Sequence, residues 1–344
     1  MDVQIALFLT QDGVTNGAIY ALLALTLVLA FTVTRVIFIP QGEFVAWGAL
    51  TLAALQTGKL PGTVWLLLIG GVAVTLVEAV TCARNADWRR FPATLGWNLL
   101  YPGLVYAAAR YLPWDTLPLV VQIVFALLMI VPLGPMVWRL AFQPLAEASV
   151  LTLLIVSVAV HLALVGIGLL FFGAEGSRTP PFSDGSITLG GFTINAQTLW
   201  VVGCSLALIA ALYFFFERTF YGKALRATAV NRAGARLMGI PTSMAGRLSF
   251  LLCALIGAFS GILIAPITTI YYDTGFLIGL KGFVGAIIGG LGSYPIAAAG
   301  ALLVGLLESF SSFWASAYKE VIVFTLIIPV LVWRSLTSRQ VEEE

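Results

Sequence analysis

Long apolar runs, separated by short polar or glycine- and proline-rich breaks, organise this 344-residue chain from end to end. Within each run the apolar positions are continuous. They lack the period-two alternation of membrane barrel strands, so each run predicts a helix. A helix that crosses a bilayer needs about 20 apolar residues, with a range of about 17–25. Eleven segments are candidates: residues 13–34, 42–57, 62–82, 93–111, 117–137, 149–172, 196–216, 248–270, 276–291, 296–314 and 320–333. The second, ninth and eleventh are short and are candidates for discontinuous or re-entrant helices. The predicted fold is all-α, a polytopic membrane helix bundle forming one transmembrane domain over residues 1–344.

The most polar break is residues 217–247, which hold six of the 18 basic residues and a single acid. An Arg-rich loop between spans belongs on the cytoplasmic side. Its punctuation predicts a short helix over 232–238. Asn231 is suited to cap the start, Gly239 to end the helix, and Pro241 to prevent its return.

Orientation follows from the remaining charges. The first residues, through Gly13, carry two acids and no base, which disfavours a cleavable signal peptide and favours a retained first span with its N-terminus outside. Alternation then places Arg35, the Arg84–Arg89–Arg90 group, Arg139, the six-base loop, Arg334 and Arg339 inside. Lys59, Arg110, Asp115, the loop 173–195 and Asp273 fall outside. Every basic cluster lands on the cytoplasmic face, as the positive-inside rule asks. The N-terminus is thus expected to be periplasmic and the C-terminus cytoplasmic. The fourth and fifth spans add an even number, so removing both changes no later orientation.

Composition sharpens the class. Hydrophobic residues make up 60% of the chain and charged residues 10%, against about 25% charged in a soluble domain. The net charge of +2 says little about partners, and bases confined to loops between spans argue against nucleic acid. Cys82, Cys204 and Cys253 lie in or beside apolar runs with no metal or disulfide spacing.

The chain also echoes itself. Residues 13–57 form a long span, a tight turn and a short glycine-bearing span around GEF. Residues 248–291 repeat the pattern around TGF. The first unit begins outside and the second inside, which is the pattern of an inverted repeat. Two glycine-rich hairpins would also look alike without any such relation.

Few polar groups lie at membrane depth. The lone His161, mid-span, suits either a proton relay or a hydrogen bond to a neighbouring helix. Glu43, just after Gln41 and Gly42, suits either the N-terminal dipole of its own helix or a substrate path, and Gln41 shares the second option. Lys281 and Glu308 flank a hairpin that turns near Ser293, at similar depth. They form either a buried ion pair or a substrate contact. No GxxxxGK[ST], HExxH, GxSxG or cysteine cluster occurs, so the chain offers no ATP site, catalytic set, metal site or cofactor site of its own.

Four stretches carry a resemblance. RTFYGKALRATAVNRAGARLMGIPTSMAGRLSFLLCALIGAFSGIL and GLKGFVGAIIGGLGSYPIAAAGALLVGLLESFSS resemble LivH-type branched-chain amino acid ABC permeases. NGAIYALLALTLVLAFTVTRVIFIPQGEF and RLAFQPLAEASVLTLLIVSVAVHL are similar to that family's opening and central segments. The resemblance implies a permease subunit paired with a LivM-type permease subunit in a bacterial inner membrane. It implies two cytoplasmic ATPase subunits and a periplasmic substrate-binding protein. It also assigns the coupling role to the loop 217–247, through Arg226, Asn231, Arg232, Ala233, Arg236, Leu237 and Gly239. Two departures stand out. Gln41 occupies a position where the family commonly has His. Residues 83–133 have no evident counterpart and are expected to be an inserted, lipid-facing hairpin rich in interfacial rings such as Trp97, Tyr101 and Trp114.

Two functional classes remain. One is the permease of an ABC importer for branched-chain or related amino acids. The other is an ion-coupled secondary transporter, which needs intramembrane titratable groups and has only Glu43, Glu78, His161 and Glu308 to use. Which solute is carried is not written in this chain, since a binding protein would select it.

Overall fold

The computed structural model describes residues 3–85, 88, 91–189 and 192–337. Arg89, Arg90 and Arg339 lie outside the described residues, as does the side chain of Arg334.

The first helix, α1 (Val3–Thr34), is the shaft of the bundle. Nearly every side chain from Ala18 to Ala30 is buried, because α1 packs against α9 (Ala196–Arg218), α12 (Thr242–Ile264), α13 (Thr274–Ile288) and α14 (Tyr294–Trp314), among others. Small residues set these distances. A Cβ on Gly13 would lie 2.8 Å from the Cα of Leu306, and one on Gly17 3.0 Å from that of Leu302. With no hydrophobic drive between helices in lipid, such backbone proximity supplies the packing energy.

Arg35, at φ 62°, ends α1. Residues 35–40 then lead without helix into α2 (Gln41–Gln56), with Val36 and Phe38 fully buried. The first turns of α2 and α13 meet backbone to backbone. A Cβ on Gly42 would fall on the Gly275 carbonyl, and one on Gly275 on the Gly42 carbonyl. This meeting point is close to mid-depth, since Glu43 and Phe276 both touch His161, midway along α8 (Val150–Phe172). From there the two helices run to opposite ends, so α1–α2 and α12–α13 are disposed in opposite senses. Their shortness has a physical reason. Sixteen and 15 residues give about 24 and 22 Å of helix, less than the ~30 Å hydrocarbon core, and each starts inside the bundle.

Around this centre lie α3 (Thr63–Asn85), α4 (Phe91–Leu95) and α5 (Tyr101–Tyr111) joined by a π-helical turn, and α6 (Leu119–Ile130) followed by α7 (Leu133–Val137). Among the described residues, eight helical stretches are long and apolar enough to cross a membrane: 3–34, 63–85, 119–145, 150–172, 196–218, 242–264, 294–314 and 316–333. The chain is also helical at the other three expected positions, as α2, α4–α5 and α13. The last stretch comprises α15 (Lys319–Thr325) and begins α16 (Ile327–Thr337).

Three features depart from expectation. The hairpin 93–137 is not uniformly lipid-facing. Its second limb packs on α2 and α12 and buries Ala126, Met129 and Ile130, because Gly134 lets the chain close onto the Phe250 carbonyl. The polar loop holds a second helix, α10 (Phe220–Val230), capped by the Thr219 hydroxyl, which accepts from the Gly222 N–H at 3.0 Å. The loop after α8 carries a two-stranded antiparallel hairpin, β1 (Ser186–Leu189) with β2 (Phe192–Asn195).

One end of the bundle, the hairpin end, gathers the start of α1, the start of α9 and the C-termini of α8, α12 and α14. Gln11 Nε2 donates to Thr198 Oγ1 at 3.1 Å there, and Ser309 Oγ donates to the Leu9 carbonyl at 2.7 Å. The opposite end gathers the C-termini of α1 and α13, α10, and α11 (Arg232–Leu237).

Candidate substrate path and coupling surface

Glu43 sits in the first turn of α2 and is fully buried. It does not cap that helix. The cap position is Pro40, with no side-chain cap bond. Instead Glu43 Oε1 lies 2.9 Å from His161 Nδ1. One proton bridges the two atoms, donated by either partner. The imidazole stacks on Phe276 of α13, with centroids 4.3 Å apart. Gln41 Nε2 donates to the Cys253 carbonyl on α12 at 3.1 Å. Glu43 Oε2, Gln41 Oε1 and Trp47 Nε1 are buried with no partner among the described residues. The sequence therefore assembles a polar knot from α2, α8, α12 and α13 at the point where the half-helices meet. Gln41 and Glu43, singled out separately, belong to it together with His161.

Lys281 and Glu308 also come together. Lys281 Nζ donates to Glu308 Oε1 at 2.5 Å, and both side chains are largely buried. Two members of this cluster escaped notice. Tyr20 donates its hydroxyl to Glu308 Oε2 at 2.5 Å, and Glu320 lies 3.4 Å from the same ammonium. Two carboxylates thus face one lysine. Tyr20 sits in a featureless apolar run and Glu320 at the edge of the last one, so neither stood out. Glu78, the remaining deep carboxylate, is engaged by Arg139 at 2.6 Å and by Arg247 at 3.7 Å.

Glu308 also lines a cavity of about 740 Å³ at the hairpin end. The cavity lies between α1, the start of α9, the C-terminal part of α14 and the loop after α8.

At the opposite end, Asn231 caps α11 by accepting from the Gly234 N–H at 2.8 Å. Gly239 takes φ 80° and closes the helix. Two arginines there tie α11 to residues 146–147. Arg232 donates to the Ala146 carbonyl at 3.0 Å and Arg236 to Glu147 at 2.9 Å. Burial, with Arg236 close by, pushes the Arg232 guanidinium below its usual value, though arginine stays protonated. Arg226 pairs with Glu217 at 2.5 Å. Three apolar side chains there are almost wholly exposed: Val230 at 87%, Leu237 at 88% and Met238 at 83%. Ala233 and Leu237, four apart, share one helical face. Val230 and Met238 were missed, although each is an apolar residue inside a polar loop.

A sequence model of the family described as branched-chain amino acid transport system / permease component matches residues 93–331. The high-affinity branched-chain amino acid transport system permease protein LivH of Escherichia coli (strain K12) is 26% identical over 352 residues, covering 96% of this chain and 95% of that protein. LivH of Salmonella typhimurium is 26% identical over 347 residues, with the same coverage of each. The permease protein BraD of Pseudomonas aeruginosa is 29% identical over 229 residues, covering 64% of this chain and 75% of that protein.

Proposed function

The chain belongs to the branched-chain amino acid transport permease family, and from that premise we propose that it is the membrane-spanning permease of an ABC importer for branched-chain or related amino acids. It works in the bacterial inner membrane beside a LivM-type permease subunit. A periplasmic binding protein delivers solute to the hairpin end, and two cytoplasmic ATPase subunits engage the α11 end. The N-terminus is periplasmic and the C-terminus cytoplasmic. The observation that carries this reading is the exposure of Val230, Leu237 and Met238 on a basic segment. Apolar side chains exposed on a surface otherwise rich in arginine suit a contact with another protein. Arg226, Asn231, Arg232, Ala233, Arg236 and Gly239 shape that contact by capping α11 and bracing it on residues 146–147.

The experiment is reconstitution with the ATPase and binding-protein subunits in liposomes, following leucine uptake against internal or external ATP. Uptake that needs ATP on the α11 side supports the reading. An ion-coupled carrier has the buried Glu43–His161 pair in its favour, and it would show uptake by this chain alone, driven by a proton gradient.

A further inference from the structure

We propose that the corner where α9 turns into α10 is a binding site for an anionic phospholipid of the leaflet at the α11 end. The site is independent of the importer reading, because it concerns the bilayer around the bundle and not the solute within it.

Depth comes first. α9 is long and apolar enough to cross a membrane, yet it buries only Gln197, Val201 and Ser205. Its outward side exposes Trp200 near the start and Tyr213 and Phe214 near the end. Such rings settle at the two borders of the hydrocarbon core. Arg218 follows Phe214 by four residues, about 6 Å of helix, which is roughly the thickness of one headgroup layer.

The chain then turns along the membrane surface. The Thr219 hydroxyl donates to the Phe215 carbonyl at 2.6 Å and accepts from the Gly222 N–H. A Cβ on Gly222 would fall on the Phe215 carbonyl, so α10 folds tightly against the end of α9. It buries Ala224, Leu225 and Thr228. Its first two residues face outwards instead, with Phe220 75% exposed and Tyr221 54% exposed. Two aromatic rings are thus held beside the lipid-facing end of α9, where acyl chains can cover them.

Charge selects the lipid. Glu217, the one acid of residues 217–247, is neutralised by Arg226. Arg218 and Lys223 are exposed, and neither forms an ion pair among the described residues. Two unopposed cations beside exposed rings complement a phosphate headgroup of net negative charge. A zwitterionic headgroup brings its own cation and gains less. Phe220 and Val230 are ten positions apart on α10, about 15 Å, so a lipid at the corner leaves the exposed Val230 free.

The test is native mass spectrometry of the purified full-length chain, released from micelles holding equal amounts of dioleoylphosphatidylglycerol and dioleoylphosphatidylcholine. The expected result is preferential retention of phosphatidylglycerol. Arg218→Gln and Lys223→Gln should each weaken that retention about fivefold, and together about thirtyfold, with phosphatidylcholine unaffected. Phe220→Ala with Tyr221→Ala should weaken retention of both lipids. These side chains are exposed, so melting should match wild type. Arg84→Gln, which removes an exposed arginine from the last turn of α3, should change nothing. The proposal is overturned if phosphatidylglycerol is not preferred, if Arg84→Gln costs as much as Arg218→Gln, or if millimolar inorganic phosphate displaces the lipid. It is also overturned if the Arg218/Lys223 double variant retains lipid like wild type. Loss of ATPase-subunit capture by that variant, with lipid retained, would make the corner a protein contact instead.

Discussion

Glu43 and His161, separated by 118 positions in the chain, meet at 2.9 Å in the middle of the bundle. The contact joins the start of a half-helix to the centre of a full one, and Phe276 from the second half-helix covers the imidazole. Both groups are withdrawn from solvent, with Glu43 fully buried and His161 7% exposed. The pair therefore fixes where α2 begins and how α13 sits against it.

Removing one member should be costly. His161→Ala leaves Glu43 without its partner and should destabilise the protein by about 3–5 kcal/mol. Adding Glu43→Gln removes the stranded carboxylate, so the double variant Glu43→Gln/His161→Ala should recover part of that loss. Thermal unfolding of the detergent-solubilised single and double variants gives the coupling energy. Strictly additive losses would falsify the pairing.

The second buried cluster makes an asymmetric prediction. Lys281→Met strands two carboxylates, whereas Glu308→Gln leaves Lys281 its second contact with Glu320. The lysine variant should therefore be the less stable of the two, by about 1–2 kcal/mol. Adding Glu308→Gln to Lys281→Met should restore part of the loss, because a single carboxylate then remains unpaired. Equal melting temperatures for the two single variants would show that Glu320 contributes nothing to the cluster.

At the α11 end the expected effects separate coupling from stability. Leu237→Asp with Met238→Asp alters side chains that are almost wholly exposed, so insertion and melting should be unchanged. Solute-stimulated ATP hydrolysis by the assembled complex should be lost. Charge reversal at Arg232 and Arg236 together should also abolish stimulation, by releasing α11 from Ala146 and Glu147. The Arg236–Glu147 bridge is itself exposed and contributes little stability. Wild-type stimulation in the Leu237/Met238 variant would remove this face from the coupling contact.

Much of this architecture is visible in the sequence where the physics is local. Continuous apolar runs locate the helices, and Asn231 and Gly239 bracket α11 because capping and left-handed closure act within a few residues. The short second and ninth runs foretell two short helices, α2 and α13. What escaped detection is non-local. Glu43 reads as a dipole-stabilised residue until α8 brings His161 against it, and Tyr20 is one polar atom in a long apolar helix until α14 supplies Glu308. The inward packing of residues 119–137 is hidden for the same reason. Its run is apolar whether it faces lipid or protein, and only the approach of Gly134 to Phe250 decides. The hairpin β1–β2 did carry a local signal, since the dipeptide Gly190–Gly191 separates two short runs that each hold an isoleucine and a threonine.

The meeting of α2 and α13 gives the most direct test of the central architecture. Both contributing residues are glycines because no Cβ fits between the two backbones. On Gly42 it would occupy the Gly275 carbonyl, and on Gly275 that of Gly42. These atoms are backbone, so no side-chain rotation can relieve the clash, and the two helix starts must separate. Separation would pull Glu43 and Phe276 away from His161 together, losing a buried hydrogen bond and a ring contact at once. Gly42→Ala should therefore destabilise by more than the usual 1–3 kcal/mol of an overpacked core. Gly103→Ala is the control. It also sits in a helix, but its Cβ would meet no atom within 4 Å, and alanine raises helix propensity there by roughly 1 kcal/mol. Measured side by side, the first variant should melt well below wild type and the second at or above it. If Gly42→Ala melts with wild type, the half-helices do not touch at Gly42 and Gly275, and the arrangement of α2 against α13 has to be redrawn.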